Sequence, residues 1–287
     1  MLGSSEGNGH PFSFSAIING YEPERLRAAG WGPINAYLDV RDRVDFGFPH
    51  ARVTHAWCPD PAETAALCAT AHIPHAVASP EELMSEVDAV ILARDDWESH
   101  WPMARRFLAA GIPMFIDKPL TLDARQLDDF LPHLEAGRLM SCTGYRFAPE
   151  LDRLRGSLVD DQTPLVLQGI GPCDWDRYAV HLVEPLLSLT AARPTQVSPI
   201  KADHDAAVIQ LSDGAVLSVH CLGDRAPGFV VNVTTPTSRL EIPLNDRFAA
   251  FRRLLSHFVQ MVERREPPFD PAETVTVMQV LMSGRTR

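Results

Sequence analysis

No apolar run in this 287-residue sequence approaches the roughly 18–20 residues needed to cross a bilayer. A membrane-embedded function is therefore not expected. A clustered stripe of Lys or Arg is also missing. With 26 basic against 37 acidic residues, the formal charge is −11 and the pI near 5.4, which argues against a nucleic-acid partner. The opening MLGSSEGNGH has neither a basic n-region nor an apolar h-region, so no secretory signal and a cytoplasmic location are expected. Cysteines are few, odd in number and scattered (58, 68, 142, 173, 221), which excludes a disulfide framework and fits reduced thiols. Cys68, His72 and His75 make the one grouping with the look of metal ligands. Their segment reads as a helix end running into a strand, and no second cluster completes a tetrahedral site, so no metal is expected. Repeats and low-complexity tracts are absent. What remains is an ordinary globular composition, 45% hydrophobic and 22% charged, long enough for two modest domains.

The most informative stretch is 88–121, DAVILARDDWESHWPMARRFLAAGIPMFIDKPLT. Asp88 to Ala93 is a short unbroken apolar run, as in a strand buried on both faces of a parallel sheet. Trp101, Met103, Ala104, Phe107 and Leu108 then fall at helical spacing, Gly111 supplies the stop, and Met114-Phe115-Ile116 is a second buried strand. Ligands of open α/β sheets sit beyond the carboxyl ends of the strands. Asp117, Lys118 and Pro119 occupy that place, which makes Lys118 the first candidate for chemistry; the alternative is a solvated loop lysine.

Upstream, residues 3–11 (GSSEGNGHP) form a glycine-rich loop. Glycines let a backbone approach a pyrophosphate, and a following helix N-terminus favours the anion. Gly7, Asn8, Gly9 and His10 are the candidate contacts. The spacing is not G-x-G-x-x-G, and only two residues precede Gly3, so the strand feeding the loop is very short or absent; a surface turn is the rival reading. FSFSAIING reads as helix in preference to strand. Residues 21–50 are irregular, an insertion whose aromatics either pack or form a lid or interface. Val53–Trp57 is the next strand, and Asp60 stands before the helix after it.

Beyond a strand at 138–144 the pattern changes to many short strands (165–170, 206–211, 215–222, 229–235, 239–242), with Ser212-Asp213-Gly214 as a hairpin turn and closing helices at 246–265 and 271–284. An antiparallel sheet with helices on one face is the natural reading. Residues 174–187, DWDRYAVHLVEPLL, place Tyr178, His181 and Glu184 at i, i+3 and i+6 of a helix, a loosely shared stripe. A histidine on an apolar helix is more often a satisfied core residue than a functional one.

The run GIPMFIDKPLTLD resembles the A-G-K-H-V-x-x-E-K-P-L signature of the Gfo/Idh/MocA oxidoreductases, with Asp117 where that family usually has Glu. The likeness continues through residues 56–93, TGYRFAPELDRLR and DRYAVHLVEPLL, and so covers most of the chain. It implies an α/β fold: a Rossmann-like doubly wound parallel sheet over 1–147, followed over 148–287 by an α+β domain with an open, mostly antiparallel sheet. It implies NAD or NADP as cofactor, held by Gly7, Asn8, Gly9, His10, Cys58, Asp60, Arg94, Asp95, Asp117 and Lys118. Cys58 falls where an acidic residue for the ribose is common, and Arg94-Asp95-Asp96 where the family has Thr-Pro and a small polar residue.

By the same resemblance, Lys118 and His181 fall on catalytic positions and Glu184 on the acid that follows the histidine. The family aspartate four residues before the histidine is Arg177 here. Asp176 can replace it only from a loop ahead of the helix. Tyr145, Arg146, Tyr178 and Glu184 are candidate substrate contacts. The implied activity is NAD(P)-dependent oxidation or reduction of a polyol, sugar or related small polar metabolite in a cleft between the domains, by a homodimer or homotetramer. Two rivals stand beside it: a non-catalytic regulator or assembly partner of the same fold, and a lyase or hydrolase that oxidises its substrate transiently.

Overall fold

The computed structural model describes residues 1–158, 164–172 and 174–286; Cys173 lies outside them. The chain divides into two compact units. One comprises Met1–Asp117, Asp129–Ser141 and Phe251–Phe269; the other comprises Lys118–Asp128, Cys142–Ala250 and Asp270–Arg287. The units interleave along the sequence instead of meeting at one point near residue 147. The closing helix expected over 246–265 shows why. From Phe251 onward it completes the core of the first unit, with Phe251 against Phe14 and Phe258 against Phe115 at ring-centroid distances of 5.2 and 6.0 Å. Two aromatics seven residues apart share one helical stripe, and that stripe needs an apolar surface to cover it.

In the first unit the chain runs α1 (His10–Asn19), α2 (Pro23–Ala28), α3 (Gly32–Leu38), β1 (His55–Ala56), α4 (Pro61–Thr70), β2 (His75–Ala76), β3 (Val90–Leu92), α5 (His100–Ala109), β4 (Met114–Ile116), α6 (Ala124–Glu135, which belongs to this unit from Asp129 onward) and β5 (Leu139–Met140). β1 pairs with β2, and β3, β4 and β5 pair in that order, all in parallel. Leu2 joins the two sets through parallel bridges to Trp57 and Leu92. The Leu2 N–H donates to Ile91 C=O at 2.7 Å, its C=O accepts from Ala93 N–H at 2.7 Å, and Gly3 N–H donates to Trp57 C=O at 3.0 Å. The spatial order β2–β1–Leu2–β3–β4–β5 is that of a Rossmann-like half-sheet with its first strand in the middle. The strand ahead of the glycine loop is thus present, reduced to one fully buried residue whose N–H and C=O bond the β3 side while the neighbouring Met1 C=O and Gly3 N–H bond Trp57.

In the second unit α7 (Asp152–Leu158) precedes β6 (Val166–Gly171), α8 (Trp175–Tyr178), α9 (Val180–Leu187), β7 (Pro194–Ile200), β8 (Asp205–Leu211), β9 (Val216–Cys221), β10 (Val230–Thr234), β11 (Arg239–Pro243), α10 (Arg247–Arg264, which continues into the first unit) and α11 (Pro271–Ser283). The six strands order as β11–β10–β6–β9–β8–β7, antiparallel except for β6 with β9. The hairpin at Ser212-Asp213-Gly214 forms with Gly214 at φ 89°, a left-handed position that suits glycine. β7 escaped the sequence reading because Pro194 and Pro199 interrupt it; it lies at the sheet edge, where proline is tolerated. Alternate residues of β6, β9 and β10 are buried, among them Leu167, Leu217, Val219, Val231 and Val233. Gly169 and Gly171 lie beneath α9: a Cβ on Gly169 would stand 2.8 Å from that of Leu182. These glycines seat the helix that carries His181.

Candidate active site

The glycine loop of the first unit is tied down by charged and polar side chains at the carboxyl ends of β3 and β4. Asp117, 1% exposed, is the hub. Its Oδ2 accepts from Asn8 Nδ2 at 3.2 Å and lies 2.6 Å from His10 Nδ1. Asn8 Oδ1 in turn accepts the His10 N–H at 2.9 Å, and its amide reaches Ala93 C=O. Arg94-Asp95-Asp96 grips the other limb of the loop. Ser5 Oγ donates to Asp95 Oδ1 at 2.6 Å and accepts the Asp95 N–H at 3.2 Å. The Arg94 guanidinium donates to Ser4 C=O and, at 2.9 and 2.6 Å, to both carboxylate oxygens of Asp96. The departure from Thr-Pro is therefore a clamp on the loop.

The irregular segment 21–50 buttresses the same loop from α3. A Cβ on Gly9 would fall 2.3 Å from Ile34 Cδ1 and 2.6 Å from the Trp31 ring. Trp31 also packs on Phe12 at 5.9 Å, and Tyr37 meets Ser13 through its hydroxyl. Gly9→Ala is expected to lose about 1–3 kcal/mol of stability through overpacking at this contact. A urea midpoint equal to that of the parent protein would show that Trp31 and Ile34 yield freely.

The loop fits a dinucleotide's phosphates. Gly7, at φ 75°, turns the exposed tip left-handed, and α1 starts three residues later. One donor difference matters. Pro11 has no N–H, and the His10 N–H is already given to Asn8, so the first turn of α1 has little left for an anion. The loop amides are left to make those contacts. At the end of β1, Cys58 is 2% exposed and its thiol is pushed up to about 11, chiefly by burial. It packs inward and presents no ribose contact. Asp60 caps α4, its Oδ1 accepting the Ala62 N–H at 2.8 Å, and Glu63 accepts from the Ser4 hydroxyl. Acidic groups therefore stand just past β1, two and five residues after Cys58.

The second cluster is built wholly within the second unit. Lys118 is 3% exposed, with Nζ 5.0 Å from the centre of the Tyr178 ring, a cation–π contact. His181 lies among three aromatic rings: Tyr178 at 5.6 Å, Tyr145 at 5.3 Å and Phe229 at 5.1 Å. Its Nδ1 is 2.5 Å from Thr143 Oγ1. Three residues along α9, Glu184 accepts the Thr143 N–H at 2.7 Å and pairs with Arg146 at 3.5 Å, and Arg146 continues to Glu273 at 2.5 Å. Burial raises Glu184 to about 7 against the opposing pull of Arg146 and the Thr143 N–H. Tyr145 is buried, and its hydroxyl, raised by that burial, bonds the Arg247 side chain.

Of the residues expected at the site, Lys118, Tyr178, His181 and Tyr145 gather here. Arg146 and Glu184 are beside them and bonded to each other. Asp176 fails the condition set for it: it sits within α8, not in a loop, and its carboxylate pairs with Arg285 at 2.7 Å. The group at His181 Nδ1 is Thr143. No sequence signal pointed to Thr143 or Glu273, since their roles depend on the turn Gly144–Phe147, α9 and α11 converging within the second unit. Among the described residues no group of three or more His, Cys, Asp or Glu is placed to hold a metal ion, and no helix is long and apolar enough to cross a membrane.

Comparison with known proteins agrees with this architecture. Residues 34–143 match the model of an oxidoreductase family with an NAD-binding Rossmann fold, Gfo/Idh/MocA. The match begins after the atypical glycine loop. UDP-N-acetylglucosamine 3-dehydrogenase of Acidithiobacillus ferrooxidans is 28% identical over 189 residues, 60% of this chain and 58% of that protein. The chain thus spans 58% of the length of this curated relative. Among solved structures, the same enzyme superposes with a TM-score of 0.70 at 19% identity, covering 82% of this chain and 89% of that one. Scyllo-inositol dehydrogenase from Lactobacillus casei superposes with a TM-score of 0.77 at 12% identity, covering 98% and 93%. At such identities the structural likeness speaks for the fold. Sequence match, strand order and the Asp117-Lys118-Pro119 strand end agree: residues 34–143 are similar to the NAD-binding Rossmann domain of the Gfo/Idh/MocA oxidoreductases.

Proposed function

We propose that the protein is an NAD-dependent dehydrogenase of a sugar, sugar nucleotide or cyclic polyol. The observation that carries this reading is the pairing of a buried Lys118 with His181 around Tyr178 in one unit, in a chain whose other unit has a clamped glycine loop at a parallel-sheet carboxyl edge. The nicotinamide supplies the hydride acceptor. His181 Nε2 takes the proton of the substrate hydroxyl as hydride leaves the same carbon, a task suited to imidazole at neutral pH. The Lys118 ammonium stabilises the negative charge growing on that oxygen. Tyr145, Tyr178 and Phe229 exclude water around the imidazole. NAD is favoured over NADP because Asp60 and Glu63, just past β1, suit ribose hydroxyls and repel a 2′-phosphate. A homo-oligomeric, cytoplasmic enzyme belongs to the same proposal.

The test is a thermal-shift titration with NAD⁺, NADH, NADP⁺ and NADPH, followed by NADH production from UDP-N-acetylglucosamine, scyllo-inositol and myo-inositol. Dinucleotide at 100 times its Kd adds about 2.7 kcal/mol of stability, a plainly higher midpoint. A shift with NAD⁺ and NADH, and net reduction with one of these substrates, is the expected result. No shift with any form, in folded and nucleotide-free protein, would favour the non-catalytic reading, which the glycine loop's Pro11 and the late start of the family match keep in view. Substrate conversion without net cofactor reduction would favour transient oxidation.

A further inference from the structure

We infer that Thr143 is the positioning residue for His181: its hydroxyl sets which imidazole nitrogen carries the proton, and its own N–H anchors it to buried Glu184, which pairs with Arg146. The inference rests on the reading of His181 as the proton acceptor. Thr143 is fully buried, just past β5, and caps the short helical turn Gly144–Phe147. One lone pair of its oxygen takes the Tyr145 N–H at 3.3 Å. The remaining valences face Nδ1 of His181 at 2.5 Å. His181 and Glu184 lie one turn apart on α9, so the side chain and the backbone of a single residue meet both of them.

A carboxylate at Nδ1 can only accept, and holds an imidazole in the Nδ1–H tautomer. A hydroxyl both donates and accepts. When Thr143 accepts from Nδ1–H, Nε2 is bare and ready to take a proton from an alcohol. In the reverse direction His181 is the imidazolium: Nε2–H returns its proton to the substrate oxygen as hydride reaches the carbonyl carbon, and Thr143 still accepts from Nδ1–H. Thr143 thereby supports both directions of a reversible oxidation. Among the groups facing His181 are Tyr178 from α8, Tyr145 from the turn after Thr143 and Phe229 before β10, and Lys118 lies over the Tyr178 ring. Those facing Glu184 are Arg146 and, from α11, Glu273.

The experiment is imidazole ¹⁵N spectroscopy of the full-length protein labelled at histidine, with His181 assigned by its loss in His181→Gln. In Thr143→Val, which keeps the shape and removes the hydroxyl, the His181 tautomer ratio changes and its titration midpoint falls by about one pH unit, since the imidazolium loses an acceptor. Thr143→Ser restores both. Identical His181 tautomer and midpoint in Thr143→Val and the parent protein would overturn the inference. If Thr143→Val does not fold, the parent spectrum decides. A hydrogen-bonded Nδ1 signal is expected there, and a solvent-exposed pattern overturns the inference. No turnover is needed, so a protein inactive on every substrate sinks the dehydrogenase reading while the Thr143–His181 bond is still measured. With turnover, Thr143→Val lowers kcat about tenfold at little change in KM, with Thr143→Ser recovering most of it.

Discussion

Lys118→Ala is expected to lower kcat by about 10²–10³-fold while leaving the NAD⁺-induced rise in melting temperature nearly intact. The magnitude is that of removing one preorganised group aimed at developing negative charge in a water-poor site. Lys118 meets both conditions: it is 3% exposed, and its ammonium lies over the Tyr178 ring, which holds it through the ring's negative face. Lys118→Arg is not expected to rescue, because a planar guanidinium neither fits the volume of a compact ammonium nor presents a single point charge. Steady-state kinetics on both variants, with the dinucleotide shift measured in parallel, make the check. Turnover of Lys118→Ala within tenfold of the parent would remove Lys118 from the chemistry and return it to a buried structural lysine.

The second large effect is on stability. Glu184 is raised from 4.5 to about 7 in the folded chain, first by burial. Its folded value lies above its unfolded one, so the native state holds a proton that the unfolded chain has already released. The stability it contributes is fully present below about pH 4.5 and is lost as pH rises through about 7. The amplitude is on the order of 3 kcal/mol, at about 1.4 kcal/mol per pH unit. Urea unfolding from pH 4.5 to 8 should therefore show this descending component in the parent protein and lose it in Glu184→Gln, whatever constant offset the amide brings against Arg146. Parallel stability curves for the two proteins would mean that Glu184 is ionised throughout, held so by Arg146 and the Thr143 N–H.

Both predictions concern residues that local pattern had singled out, yet pattern had assigned only one of them its surroundings. Lys118 could be placed from the sequence because a buried strand, Met114-Phe115-Ile116, must end somewhere, and in a parallel sheet the carboxyl end is where ligands lie. The hydrophobic runs, the Gly111 stop, the Gly214 turn and the two closing helices were legible for the same reason: burial and backbone geometry act on neighbouring residues. The family signature added His181. Glu184 was on the same list as a substrate contact, but the groups it bonds to were not legible. Its partners are Thr143, 41 residues away, and Arg146, 38 residues away, and neither can be known before the turn Gly144–Phe147 meets α9.

The sequence by itself therefore determined the alternation of buried strands and helices, the change to an antiparallel second half, and the two candidate residues Lys118 and His181. Periodicity and turn chemistry are local, and the signature is a contiguous string. Tertiary structure alone decided the rest. It made a single residue, Leu2, serve as the central strand, because bonds from Trp57, Ile91 and Ala93 saturate its surroundings. It took Asp176 to Arg285 and put Thr143 at the imidazole. It turned Arg94-Asp95-Asp96 from a run of charges into a clamp on the glycine loop. In each case the deciding quantity is where a polar atom finds its partner once water is excluded, and those partners lie tens of residues apart in the chain.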